Sequence, residues 1–177
     1  REGKDSLTLE YFKKSIGLAQ LNSDLRIRLG QILFENGDFT NAAIEMEDAV
    51  KKFPNNQVIN FILGLSLAQK SDHESAIPYL GKAVELNPND LNYTLAYSFS
   101  LDQADKKDIA LNYLERAMRI DPKNIQALGM MGLIYDGRDE FTKSDSIYTL
   151  AISIDSSDIM ILNNFAYSLA ERGIELE

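Results

Sequence analysis

Cysteine is absent, histidine occurs once and proline only four times in 177 residues. Without cysteine there is no disulfide, no zinc–thiolate site and no thiol nucleophile. Its absence leaves the compartment open, cytoplasm or bacterial envelope. The single histidine, His73, falls in a polar turn. A metal site needs several convergent ligands, so His73 reads as a turn residue. The carboxylates do not supply the rest, because residues such as Glu45, Glu47 and Asp48 are spread over a solvated helix face. Asn36-Gly37-Asp38 has the start of a calcium loop without its remaining ligands. No glycine loop for phosphates and no nucleophile–base pair is found. The expectation is a chain that is not an enzyme and carries no cofactor and no metal. Basic runs never exceed two residues and the net charge is −9. That disfavours nucleic acid, whose affinity comes from Lys and Arg on phosphates, and acidic membrane surfaces. No stretch reaches the roughly 18 unbroken apolar residues of a membrane helix. No secretory leader is visible.

What the sequence does hold is a period. Hydrophobic residues make up 45% and charged residues 25%, values of a folded chain. The stretch 57–90 reads as two amphipathic helices with a polar turn between them and a proline after them. Its Leu63-Gly64, Leu67, Ala76, Leu80, Ala83 and Pro88 recur as Tyr97-Ser98, Leu101, Ala110, Leu114, Ala117 and Pro122. In the other direction they are Leu29-Gly30, Leu33, Ala42, Met46, Ala49 and Pro54. A fixed period of this length marks a helical solenoid, in which each repeat packs only on its neighbours.

In this phase the repeats occupy 23–56, 57–90, 91–124 and 125–158. Residues 1–22, with an apolar pattern over 6–20, are expected to hold the second helix of an incomplete repeat. Residues 159–177 hold the first helix of another. Asn36-Gly37 predicts a turn in which glycine takes positive φ. Pro78 stands near the start of a second helix, where a first-turn position leaves at most a slight bend. The fourth repeat departs from the pattern at Ser144 and Ser156, which weakens the signal for its exit but not for its existence.

These positions resemble the tetratricopeptide-repeat family over almost the whole chain. The family pattern wants large apolar groups at positions 4, 7, 11 and 24, small ones at 8, 20 and 27, and proline at 32. Small residues sit where helices approach closely, and large ones fill the groove beside them. Position 4 departs from it with Arg26, Asn60 and Thr94, which predicts a less filled outer end of each helix pair. The stretch 163–173, Asn-Asn-Phe-Ala-Tyr-Ser-Leu-Ala-Glu-Arg-Gly, resembles bacterial members. The resemblance implies an all-α, right-handed superhelical solenoid of antiparallel helix pairs, with first helices lining a concave face. It also implies a scaffold that binds a protein or peptide partner.

The family places positions 2, 5, 6, 9, 12 and 13 of each repeat on that face. The candidate binding residues are therefore Ile27, Gln31, Phe34, Phe61, Ile62, Leu65, Leu95, Phe99, Asp102, Met130, Leu133, Asp136 and Tyr167. Position 9 is apolar or aromatic in four of its five occurrences: Leu65, Phe99, Leu133 and Tyr167 follow Gln31. The expectation is an apolar ridge, Phe61–Leu65–Leu95–Phe99–Met130–Leu133, with Asp102 and Asp136 at one margin. It suits an apolar or amphipathic segment with a basic flank. The opposing reading is that these side chains simply pack on the next repeat. A family site for C-terminal carboxylates needs Lys and Asn where this chain has Ile27, Gln31, Ile62, Asn92 and Ala96. Binding of that kind is not expected. Alternatives are self-assembly through an apolar face at Leu162, Phe165 and Leu169, and a non-catalytic arm of a larger enzyme.

Overall fold

The computed structural model describes residues 10, 11, 14, 15, 17 and 22–174. The helices are Ser23–Glu35 (α1), Phe39–Lys52 (α2), Gln57–Gln69 (α3), His73–Leu86 (α4) and Leu91–Gln103 (α5). They continue with Lys107–Ile120 (α6), Ile125–Asp136 (α7), Phe141–Ile154 (α8) and Ile159–Glu171 (α9). Among the described residues there is no strand. The helix expected over 6–20 falls largely outside the described residues. First helices begin at Ser23, Gln57, Leu91, Ile125 and Ile159, each 34 residues after the last, and second helices keep the same interval.

The chain divides into two compact bodies, Arg1–Ala96 and Tyr97–Glu177. In the first, α1 packs on α2, α2 on α3 and α3 on α4, with α1 also meeting α3. In the second, α7 packs on α6, α8 and α9, and α8 on α9. The helix pairs meet where the sequence places its small residues. A Cβ on Gly30 would lie 2.7 Å from Met46 Cε, on Gly64 2.5 Å from Leu80 Cγ, and on Gly132 2.5 Å from Tyr148 Cε1. The three large partners are fully buried. Each such side chain removed from water contributes about 1.5–3 kcal/mol.

Polar groups repeat with the same period. Asn22, Asn56, Asp90, Asn124 and Asp158 precede the five first helices, and each side chain accepts from a backbone N–H of the first turn at 2.8–3.2 Å. These caps satisfy donors that a helix start leaves orphaned. Among the second helices, Asp38 and Asp72 cap α2 and α4. Lys106 and Glu140, at the same place before α6 and α8, make no side-chain cap hydrogen bond.

The turns inside the repeats share one left-handed residue. Gly37 takes φ +75° as expected, and its equivalents Ser71 (61°), Asp105 (57°), Asp139 (58°) and Gly173 (68°) do the same. The next residue then donates back across the helix end, as Asp38 N–H to Leu33 O and Asp72 N–H to Leu67 O. This closure satisfies carbonyls of the last turn.

Two expectations are corrected, the filling of position 4 and the first-turn place of Pro78. Position 4 is filled, and by polar side chains: Arg26, Asn60 and Thr94 are 4%, 2% and 0% exposed. Each brings its own partner, as burial of a polar group demands. Arg26 donates to Asp48 at 2.7 Å, a bond that holds the Asp48 carboxyl below its ordinary range. Asn60 Nδ2 donates to the carbonyls of Pro54 and Asn56, and Thr94 Oγ1 to that of Asp90. Pro78 is the sixth residue of α4, beyond its first turn, yet the helix runs through it as expected. The exit of the fourth repeat, weakly marked in the sequence, is regular. Its second helix ends at Ile154, in phase with Lys52, Leu86 and Ile120. In place of the proline, Asp155 accepts from the backbone and hydroxyl of Ser157 at 2.9 and 2.7 Å.

Candidate functional site

On a helix with 3.6 residues per turn, positions 5, 9 and 12 fall within about 60° of one another. That arc is narrow, yet burial changes sharply across it. Leu95, at position 5, is 5% exposed, whereas Phe99, at position 9 of the same helix, is 46% exposed. Ile62, at position 6, is 6% exposed. Ile62 and Leu95 are therefore core residues, correcting the place of Leu95 on the ridge and of Ile62 among the candidate binding residues. Position 6 stands about 100° from position 5, and its burial varies from the exposed Arg28 through the half-buried Ala96 and Met130 to the buried Ile62.

In the first body most of the remaining candidates lean on their own chain. Phe34 packs on Leu29, Leu33 and Ala42 and meets Phe39 edge-on at 5.1 Å. The Phe61 ring lies 4.4 Å from that of Tyr93. Ile27, Gln31 and Leu65 are half-buried. In the second body position 9 opens outward: Leu133 and Tyr167 join Phe99 at 51% and 68% exposed. Met130 and Asp102 are half-buried. The predicted self-assembly face is also redistributed. Leu169 is 8% exposed and Phe165 packs 5.3 Å from the Tyr148 ring, so neither presents a free surface. Leu162 stays 39% exposed, beside Ile159 and Met160.

Leu133, Asp136 and Tyr167 line one cleft of about 440 Å³. Leu133 and Asp136 come from α7, Asp139 from the turn after it, Phe141 from the head of α8, and Tyr167, Glu171 and Arg172 from α9 and its end. The volume lies within the range of ligand clefts. Its floor is a polar strut. Asp136 accepts from the Tyr148 hydroxyl at 3.0 Å and from the Ser168 hydroxyl at 2.8 Å, one donor to each oxygen. Burial, and then the Asp136 charge beside it, pushes the Tyr148 phenol well above its ordinary value. Arg172 forks onto Asp145 at 2.7 and 3.1 Å and lies 4.8 Å from the centre of the Phe141 ring. A bidentate pair of this kind holds both side chains in one geometry.

Sequence reasoning placed Leu133, Asp136 and Tyr167 on this face and missed Phe141, Glu171 and Arg172. Glu171 was open to discovery, since position 13 belongs to the same face. The Asp136–Ser168 and Arg172–Asp145 bonds span 32 and 27 residues, and no apolar periodicity reports them. Among the described residues no cluster of His, Asp or Glu is placed to hold a metal ion, and no helix is long and apolar enough to cross a membrane.

The family model for the tetratricopeptide repeat matches residues 9–57 and 27–90. The phase of those matches continues through the helix pairs that follow. Over residues 9–90 the chain matches the tetratricopeptide-repeat family. No curated protein matches it in sequence. Solved structures agree in fold. YrrB, a TPR protein with an unusual peptide-binding site, is 22% identical, with a TM-score of 0.85 over 93% of this chain and 84% of that one. MamA is 20% identical, with a TM-score of 0.81 over 88% and 91%. MamA 41-end from Desulfovibrio magneticus RS-1 is 19% identical, with the same score over 90% of each chain. The fold is thus an all-α helical-repeat solenoid. Tetratricopeptide-repeat proteins bind proteins or peptides and are in general non-catalytic.

Proposed function

We propose that this tetratricopeptide-repeat chain is an adaptor that captures an apolar or amphipathic segment of a partner protein on its first-helix face. The seat is Phe99, Leu133 and Tyr167, with Met130, Asp102 and Asp136 around them. The observation that carries this is the exposure of three large apolar side chains at one repeat position, two of which line a single cleft. Exposed apolar groups gathered in this way mark binding surfaces, and aromatic anchors at the mouth of a pocket carry much of the energy when buried. The peptide-binding site of YrrB, similar in fold, supports a peptide as the class of ligand. In the first body Ile27, Gln31, Phe34, Phe61 and Leu65 offer a smaller and more occupied surface.

A displayed random-peptide library selected on the immobilised chain tests this. Sequences enriched on the parent and lost on Leu133→Asp, with circular dichroism unchanged, support the seat. Equal enrichment on both proteins rejects it. The variant is expected to fold, because Leu133 is 51% exposed.

A second reading has its own observation. Ile159, Met160 and Leu162 on α9 are 72%, 49% and 39% exposed, an apolar face suited to pairing of two copies. Sedimentation over a concentration series decides it: a monomer throughout removes the self-assembly reading.

A further inference from the structure

The cleft of the second body is lopsided in charge. Asp136, Asp139 and Glu171 line it against one cation, Arg172. Arg172 is already committed, with two bonds to Asp145 and an Nε–H to the Ser168 carbonyl at 3.1 Å. The cations nearby have carboxylates of their own. Arg138 donates to Asp108 at 2.9 Å, and Lys107, next to Gly137, lies 3.7 Å from Asp105. Among the described residues no cation lies within salt-bridge distance of Asp136, Asp139 or Glu171; the charge of Arg172, bound to Asp145, is felt at Asp136 but leaves Asp139 and Glu171 unanswered. The two hydroxyls on Asp136 are neutral donors; they orient the carboxylate without cancelling its charge. Walls of low dielectric focus such a field into the cleft. Beside the carboxylates stand the apolar Leu133 and the Phe141 and Tyr167 rings.

We infer that the occupant of this cleft is a basic amphipathic peptide segment. Its apolar side chain packs against Leu133 and Tyr167, and its Lys or Arg reaches the carboxylates of Asp136, Asp139 and Glu171. This rests on the groove reading above and adds to it the sign of the ligand. The Tyr167 ring is also a favourable neighbour for the cation.

Fluorescence anisotropy with three labelled peptides of equal length tests the inference. One alternates leucine and arginine; the second has glutamate for each arginine; the third has serine for each leucine. Only the first is expected to bind well, and less tightly as salt is raised. Asp139→Asn with Glu171→Gln is expected to weaken it roughly three- to tenfold. Both residues are exposed, and asparagine tolerates the positive φ of position 139. Glu47→Gln with Glu85→Gln, both exposed on the second helices α2 and α4, removes the same charge from the other body and is expected to leave the affinity unchanged. An equal loss with that pair makes the effect one of net charge and overturns the inference. If the leucine–glutamate peptide binds as well as the first and Leu133→Asp abolishes both, the charge preference falls while the groove reading stands. If the serine–arginine peptide binds as well as the first, or if no peptide binds, both fall.

Discussion

Gly64 has no room for a methyl group. A Cβ there would lie 2.5 Å from Leu80 Cγ and 3.1 Å from the Leu80 backbone nitrogen. The side chain can turn; the backbone of α4 cannot shift alone. Gly64→Ala is therefore expected to push α3 and α4 apart at a cost of about 1–3 kcal/mol, read as a lower denaturation midpoint. At Gly30 the obstacles are the Met46 Cε and Sδ, at 2.7 and 2.8 Å. Methionine adapts its shape readily, so Gly30→Ala is expected to cost less; the reverse order would contradict this account. A different cost operates in the turns. Around Gly37 a Cβ would meet nothing within 4 Å, yet its φ is +75°. Gly37→Ala then measures backbone strain alone, about 1 kcal/mol. Ser71, held at φ 61°, offers the opposite experiment. Ser71→Gly relieves that strain and raises the flexibility of the unfolded chain, leaving a net gain of about 0.5–1 kcal/mol. A lower melting temperature for Ser71→Gly would refute it.

At the scale of the element, the unequal capping of the second helices sets up a direct comparison. Asp38 and Asp72 each accept a backbone N–H at 3.2 Å, whereas Lys106 places a positive charge at the positive end of α6. Lys106→Asp supplies both a cap and a better charge for the dipole, and is expected to stabilise the chain by about 1 kcal/mol. Urea titration of the two proteins checks it; an unchanged midpoint would mean that the Lys106 side chain is worth as much where it is. The helices themselves were legible because their apolar spacing repeats four times in phase. The Asn or Asp before each first helix repeats as faithfully, but a reading built on apolar residues passes over it. Position 4 misled for a related reason. Arg26, Asn60 and Thr94 are polar, and a polar residue where the pattern wants a large apolar one predicts an underfilled helix end. Their partners, Asp48 and the carbonyls of Pro54, Asn56 and Asp90, are visible only once the helices are placed. The cleft was half legible. Leu133, Asp136 and Tyr167 follow from repeat position, whereas the Tyr148–Asp136–Ser168 strut joins residues that no period relates.

For the molecule as a whole, tyrosine makes the alkaline side the vulnerable one. Burial raises the phenols of Tyr93 in the first body and Tyr97 in the second, and burial with Asp136 raises Tyr148 furthest. In each case the folded value lies above the unfolded value of 10.0, so the folded state holds the phenolic proton more tightly. That stabilisation is whole below this value and is lost as pH climbs from it toward the folded one. Ionisation there also adds negative charge to a chain that carries −9 at pH 7. At Tyr148 it does more, because the phenolate can no longer donate to Asp136 and stands beside a carboxylate. Tyr148→Phe separates these effects. At pH 7 it removes a hydrogen bond to a charged acceptor, leaves Asp136 with Ser168, and is expected to cost about 1–3 kcal/mol. Above pH 10 the parent should lose stability faster than the variant, so that their melting temperatures converge. Melting curves that fall in parallel across that range would show that the Tyr148 proton plays no part in holding the second body together.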